Sequence, residues 1–155
     1  MRGEIGAVLR RLALAVLVAA LLSAVFDWAM KADGLPLGMQ MMALGFAFAL
    51  AAAIYVFLIP ILYFVALGAD TIGIARWIVF PILFVALDAG YSYVSLSGFR
   101  RYEIGAGILV MGGKLTALGW TYWEQNVAGT AAIALIVDII LFGWPSRWLR
   151  NGAGS

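Results

Sequence analysis

The sequence contains no cysteine and no histidine among its 155 residues. The absence of cysteine excludes thiol catalysis, disulfide bonds and thiolate-held iron–sulfur clusters. The absence of histidine excludes histidine-ligated haem and a histidine proton shuttle, and the two absences together exclude zinc sites with the usual ligands. Only carboxylates, carbonyl oxygens or methionine sulfur could hold a metal ion. We therefore predict no metal and no cofactor.

Charged residues are also scarce, at 12% of the chain, whereas an ordinary globular protein carries about 25%. Hydrophobic residues make up 65% of the sequence and form long runs, not the alternating segments of a membrane β-barrel. The net charge of +2 is scattered, so nothing favours binding to nucleic acid. We predict an all-α, polytopic helical bundle that forms a single domain over 1–155 in a lipid bilayer, with the bacterial inner (cytoplasmic) membrane as the expected location.

The apolar runs predict five transmembrane helices, over residues 12–30, 37–69, 77–98, 104–123 and 127–144. The second run has no charged residue, and a helix of its length would reach about 50 Å, so it fits one tilted or kinked span across a hydrocarbon core of about 30 Å. Aromatic residues lie near the proposed ends of the helices, which is typical of the membrane–water interface.

The fourth run, 104–123, allows a second interpretation because it contains Lys114 and five glycines. The alternative is a bundle of four spans with a re-entrant segment at 104–123. With five spans, Lys and Arg divide four against five between the two sides, so the orientation is unresolved. With four spans they divide six against three, which favours both termini in the cytoplasm.

Three ionisable residues, Asp88, Lys114 and Asp138, lie alone near the middle of three apolar runs. A charge at the centre of a membrane costs about 2.5–3.5 kcal/mol on insertion scales, so it rarely occurs without a partner or a function. Lys114 is separated from each carboxylate by one polar segment, around 101 and 126 respectively. If both segments join antiparallel helices, the three side chains lie at one depth, within one helical turn along the membrane normal.

Two carboxylates and one ammonium group leave one surplus negative charge. Because an isolated carboxylate is very costly in an apolar medium, either a proton or a bound cation neutralises it. Both conditions suit a proton- or cation-coupled pathway, whereas the simpler alternative is an ion-pair cluster that only fixes helix packing. Three polar side chains share the helix face of Asp88 and form a supporting polar face, namely Tyr91, Ser92 and Ser95. Two arginines after this helix, Arg100 and Arg101, are candidate contacts for lipid headgroups.

The function that we expect is a small, oligomeric membrane transport or channel protein with its ion or proton site at the three ionisable residues. The alternative is a non-catalytic accessory subunit of a larger membrane complex. A third candidate is a membrane-embedded enzyme that acts on a lipid-linked substrate, but the chain has no nucleophile–base set, so a non-enzymatic role is favoured. Small residues four apart, Ala43, Ala47 and Ala51, suit a helix contact with a second copy or within the subunit. The expected partners are the lipid bilayer and either a second copy or another membrane subunit.

Overall fold

The computed structural model describes residues 2–31, 34–70, 75–104 and 107–143, with side chains from residue 4 onward. This part of the chain forms four long helices, α1 (Arg2–Lys31), α2 (Leu37–Ala69), α3 (Ala75–Ser97) and α4 (Ala117–Phe142). Three short strands lie between α3 and α4, namely β1 (Arg101–Ile104), β2 (Gly107–Met111) and β3 (Lys114–Leu115). All four helices are long and apolar enough to cross a membrane, which is compatible with an integral membrane protein.

The four helices pack as an antiparallel bundle in which α1 and α3 each contact both α2 and α4. One end of the bundle holds the carboxyl ends of α1 and α3 together with the strands, and we call it the sheet end. The opposite end is called the far end. Fully buried side chains from three helices meet between them, among them Ile59, Phe84 and Val137.

The far half of the bundle is filled by aromatic rings around Phe142, the last residue of α4. The ring of Tyr63 stacks on it with centroids 5.3 Å apart, and Trp77 and Phe80 contact it edge-on at 5.9 and 6.0 Å. The guanidinium group of Arg76 lies 5.8 Å from the centre of the same ring. Such contacts join α2, α3 and α4 tightly at this end.

Asp70 ends α2 and prepares the start of α3 at the far end. Its Oδ1 accepts a hydrogen bond from the backbone nitrogen of Ala75 at 3.1 Å, and its Oδ2 lies 3.4 Å from Nε of Arg76. A carboxylate is favourable here because the first backbone N–H groups of a helix have no partner within the helix. The charges of Asp70 and Arg76 thereby neutralise each other where two helices that could span a membrane meet.

The strands form an antiparallel sheet in the order β1-β2-β3, with Arg101 opposite Met111 and Met111 opposite Lys114. Gly112 and Gly113 connect β2 to β3 with φ angles of 62° and 76°. Positive φ at both central residues is the requirement of the tightest hairpin turns, and glycine adopts it without steric cost.

Thr116 attaches the sheet to α4. Its hydroxyl donates to the carbonyl oxygen of Ile108 at 2.7 Å and accepts from the backbone nitrogen of Gly119 at 3.0 Å, so it caps the helix. A Cβ atom at Gly119 would overlap the carbonyl oxygen of Leu109, which shows how closely β2 approaches the helix. The sheet and the first turn of α4 therefore form one packed unit.

The predicted helix over 104–123 is wrong, and five spans are not confirmed. Apart from 105–106, which lie outside the described residues, this segment ends β1, forms β2 and β3, and begins α4 at Ala117. Two of its five glycines, Gly112 and Gly113, form the turn between β2 and β3. The number of helices that could span a membrane is four, as in the alternative with a re-entrant segment. The segment between α3 and α4, however, forms a sheet.

The predicted turn at 124–126 is also absent, because α4 continues through it. Glu124 and Gln125 are exposed on the helix surface, and both are good helix formers. A helix of 26 residues measures about 39 Å, so its polar first turns can extend beyond a hydrocarbon core of about 30 Å. The orientation predicted for four spans counted Arg147 and Arg150, which lie outside the described residues.

Candidate functional site

A cavity of about 810 Å³ lies between the helices in the half of the bundle toward the sheet end, and we call it the sheet-end cavity. Its walls come from the carboxyl-terminal halves of α1 and α3 and the amino-terminal halves of α2 and α4. The volume is within the range of about 300–1,000 Å³ that is usual for small-molecule sites. The polar residues and tyrosines in its lining are Ser23, Asp27, Lys31, Tyr55, Asp88, Tyr91, Asn126 and Thr130.

Asp88 lies deep in this cavity, where it bonds to the opposite helix. Its Oδ2 accepts a hydrogen bond from the hydroxyl group of Thr130 at 2.6 Å. Asp88 precedes the last residue of α3 by nine positions, which places it about 14 Å from the sheet end of that helix and near the centre of a membrane. Within the described ranges, no Lys or Arg side chain forms an ion pair with Asp88.

A second pair of hydroxyl groups lies at the same cavity, between α1 and α2. The oxygens of Ser23 and Tyr55 are 2.9 Å apart, and the Tyr55 ring stacks on Phe84 of α3 with centroids 5.4 Å apart. These contacts add two hydroxyl groups to the lining, one on α1 and one on α2. The polar groups in the deep part of the cavity are therefore few, namely the Asp88 carboxyl group and the hydroxyl groups of Ser23, Tyr55 and Thr130.

The opening toward the sheet end carries an ion pair within α1, between Lys31 and Asp27. The two residues are one helical turn apart, the spacing at which side chains on a helix face each other. Because Lys31 already pairs with Asp27, its charge is not available to neutralise Asp88. Counted formally, the lining has two carboxylates against one ammonium group, a surplus of one negative charge.

The cavity also opens sideways, between α2 and α3. Phe46 on α2 is 72% exposed and Tyr91 on α3 is 63% exposed, and both belong to the lining. Leu50 and Leu87, on the same two rims, are exposed as well. In a chain that spans a membrane, this side opening faces the lipid tails.

The wall that carries Asp88 is fixed to α4 by a further hydrogen bond. The indole nitrogen of Trp123 donates to the carbonyl oxygen of Ala89 at 3.1 Å, and the hydroxyl group of Ser92 donates to the same oxygen. Ala89 is adjacent to Asp88 in the chain. The hydrogen bonds from Thr130 to Asp88 and from Trp123 to Ala89 thus set the position of the carboxyl group relative to α4.

Asp138 lies in the other half of the bundle. It is 3% exposed, and its Oδ1 accepts no hydrogen bond from the residues that the structure describes. It follows Thr130 by eight positions, about 12 Å along α4 toward the far end. Asp88 and Asp138 are therefore in separate surroundings.

Lys114 is not brought to either carboxylate, so the predicted common depth is wrong. It is exposed on β3, and Gly113 beside it packs against the carbonyl oxygen of Ser97, the last residue of α3. This places Lys114 at the sheet end, about 14 Å along α3 from Asp88, which is beyond the reach of a lysine side chain. The cause is the absence of the predicted helix over 104–123. A functional role of Asp88, Lys114 or Asp138 stays a prediction.

Of the predicted supporting residues, Tyr91 lines the cavity with Asp88. Ser92 instead bonds to the backbone of its own helix, and Ser95 is exposed outside the lining. Arg100 is exposed after α3, and Arg101 pairs with Glu103 at 2.9 Å. Their predicted contact with lipid headgroups stays a prediction.

Three hydroxyl-bearing residues of the cavity were not anticipated from the sequence, namely Ser23, Tyr55 and Thr130. Each is a single hydroxyl within an apolar run, and this isolation is the one signal that could have indicated them. Their pairing is not readable from the chain, because Thr130 is 42 residues from Asp88 and Tyr55 is 32 residues from Ser23.

Comparison with protein-family models, curated proteins and solved structures finds no match for this chain. The class that the fold defines is a polytopic helical protein with four helices that could span a membrane. A more specific function has to be argued from the sheet-end cavity and its carboxyl group.

Proposed function

We propose that the protein is a small membrane transport protein in which Asp88 binds a proton or a monovalent cation. The observation that supports this most is the position of Asp88, deep in a cavity, with a hydroxyl donor and no basic partner among the described side chains. Intramembrane carboxylates are rare and commonly belong to ion or proton pathways.

The chemistry of the carboxyl group favours reversible binding. The Thr130 hydroxyl occupies Oδ2, and Oδ1 accepts no hydrogen bond from the described residues, so one oxygen is available for a proton or cation. An unneutralised carboxylate is expensive in this environment, while a single hydroxyl bond offsets only part of the cost. Neutralisation by a mobile ion is the remaining way to stabilise the site.

The cavity gives this ion a path to one end of the bundle, past Asn126 and the Lys31–Asp27 pair. The far half is closed by the rings around Phe142. Transport across the whole membrane therefore requires that the helices of the far half separate, so that Asp88 is reached from one side at a time.

The experiment uses purified protein in liposomes loaded with a pH-sensitive dye, under an imposed potassium-diffusion potential. We expect proton or cation flux in the wild type and a loss of about ten-fold or more in Asp88→Asn, since a neutral amide cannot take up a proton in this range. Glu124→Gln is the matched control, because it makes the same chemical change on the exposed surface of α4 outside the cavity lining, and it should keep the flux.

All three proteins must insert and show the same elution volume in gel filtration. Equal flux in the wild type and Asp88→Asn, or no flux in either, would contradict the proposal.

An accessory role is the second candidate, and the sheet provides the observation that favours it. Met111 and Lys114, which pair across β2 and β3, are both exposed at the sheet end. Such a surface could dock on another membrane subunit or on a second copy. Crosslinking from position 114 in native membranes tests this role, and a partner of fixed size is the expected product.

A further inference from the structure

We propose that the sheet-end cavity binds lipophilic monovalent cations, which reach Asp88 from the bilayer through the opening between α2 and α3. The proposal rests on the transport function above and specifies the substrate class of the same site. Four properties of the cavity carry it: size, lining, charge and position of the opening.

The size and the lining both favour an organic molecule over a bare metal ion. Of the eighteen residues in the lining, ten are apolar, and the volume of about 810 Å³ would hold a drug-sized molecule. A dehydrated metal ion needs several oxygen ligands at once. The described residues contain no group of three or more acidic side chains that could provide them.

The charge of the lining selects a cation. Asp27 and Lys31 neutralise each other in an ion pair, so the single surplus carboxylate is Asp88. An anionic lipid or a fatty acid would meet a like charge in an apolar environment, where such repulsion is strong. A molecule with one positive charge would instead complete the neutralisation that the site lacks.

Aromatic rings form part of the lining that Asp88 belongs to. Phe26, Phe46, Tyr55 and Tyr91 contribute to the lining from three helices. The faces of aromatic rings attract organic cations, and they also pack against flat apolar groups. A cation with an apolar body can thus be stabilised by Asp88 and by the walls together.

The opening determines the route by which the ligand enters. Phe46 and Tyr91 are exposed on opposite rims, on the side of the bundle that faces lipid. A lipophilic cation partitions into the bilayer before it binds, so a side opening between two spanning helices is a direct way to the carboxyl group. A hydrophilic cation would have only the opening at the sheet end.

The test measures binding of tetraphenylphosphonium, an aromatic monovalent cation, to the full-length protein in uncharged detergent. Tetraphenylborate, which has nearly the same shape and the opposite charge, is the matched ligand control. Equilibrium dialysis against empty micelles removes the contribution of partition. The wild type should bind the phosphonium at least about ten-fold more tightly than the borate, corresponding to about 1.4 kcal/mol.

Variants assign the binding to the site. Asp88→Asn should lose about ten-fold or more in phosphonium affinity, and Glu124→Gln, which makes the same change on the exposed surface of α4, should retain it. At the rim, Tyr91→Ala should weaken binding about two- to five-fold, as expected for loss of one cation–aromatic contact, while Ser95→Ala on the same helix should not. Equal affinity for the two probes, or full affinity in Asp88→Asn at an unchanged elution volume, would overturn the proposal.

The outcome is separable from that of the transport proposal. Binding of phosphonium at Asp88 without Asp88-dependent flux in liposomes would support this site and remove transport. Asp88-dependent proton flux without phosphonium binding would overturn the lipophilic-cation proposal and leave proton transport in place.

Discussion

The two halves of the bundle are built in opposite ways from the same four helices. In the far half, Phe142 is enclosed by Tyr63, Trp77 and Phe80, and the helices are held together by ring contacts. In the sheet-end half, the helices diverge around a cavity of about 810 Å³, with Asp88 in its wall. The helices are joined by ring contacts in one half and line the sheet-end cavity in the other.

This difference assigns stability to the far half of the bundle and binding to the sheet-end half. A bundle that is hollow along part of its length needs compensation elsewhere, because every empty volume forfeits contact energy. The aromatic cluster provides this at the far end, and the sheet with its attachment to α4 provides it at the other. The following predictions test that division, beginning with the largest effect.

Removing an aromatic ring from the far half should produce the largest loss of stability. Phe80 is fully buried and contacts the rings of Phe84 and Phe142. Phe80→Ala should lower the free energy of unfolding by about 3–5 kcal/mol, measured by equilibrium unfolding in mixed micelles. Phe46→Ala in the cavity wall is the matched control and should change it by about 0.5 kcal/mol or less. Equal losses in the two variants would contradict the division.

Adding one methyl group at the junction of sheet and helix should have an intermediate effect. In Gly119→Ala the new Cβ meets the carbonyl oxygen of Leu109, which is backbone and cannot rotate away. We expect a loss of about 1–3 kcal/mol and faster amide hydrogen exchange confined to β2, β3 and the first turn of α4. Gly38→Ala, where the added atom meets nothing within 4 Å, is the control. Unchanged exchange in β2 would show that the sheet does not depend on this approach.

Removing the hydroxyl group that bonds to Asp88 should have a small effect on stability and a larger one on function. Thr130→Val keeps the shape of the side chain and leaves Asp88 without its donor. The free energy of unfolding should fall by about 1 kcal/mol, which is typical of hydrogen bonds between membrane helices. Flux and phosphonium binding should both change, and Thr130→Ser should restore them. A Thr130→Val protein with wild-type flux would remove Thr130 from the site.

The smallest effect is expected at Lys114, which lies outside both halves of the bundle. Lys114→Gln replaces an exposed side chain on β3 and should change the free energy of unfolding by about 0.5 kcal/mol or less. Flux in liposomes should be unchanged, in contrast to Asp88→Asn. A loss of flux in Lys114→Gln would return this residue to the ion site that the sequence predicts.

The predictable part of the fold is the part that depends on long apolar runs. The second run was predicted with the boundaries of α2, because 33 residues without a charged side chain can only be one long span. The prediction for the segment 104–123 is wrong because an apolar run of this length does not by itself distinguish a helix from short strands. A Gly-Gly pair between Val110-Met111 and Lys114-Leu115 is equally a hairpin signal, and the sequence contained it.

The site, like the fold, was predictable only in part. Asp88 stands out because a lone carboxyl group in an apolar run is costly, and the structure places it in the wall of the cavity. Thr130 could not be identified as its partner, since a single threonine in an apolar helix carries no such cost. Symmetry in the sequence also could not show that Lys114 lies at the sheet end, because that argument assumed a helix where the chain forms strands.

The distance between Asp88 and Thr130 along the chain has a consequence for biosynthesis. Their hydrogen bond joins residues 42 positions apart, and α3 is the least apolar of the four helices that could span the membrane. At a synthesis rate of about 5–20 residues per second, α3 waits about 2–8 seconds for the hydroxyl group on α4. During that interval a helix with an unpaired acid must enter the bilayer or remain in the insertion machinery. In either case α3 carries the unpaired acid through that interval, and the carboxyl group gains its hydroxyl donor only when α4 arrives.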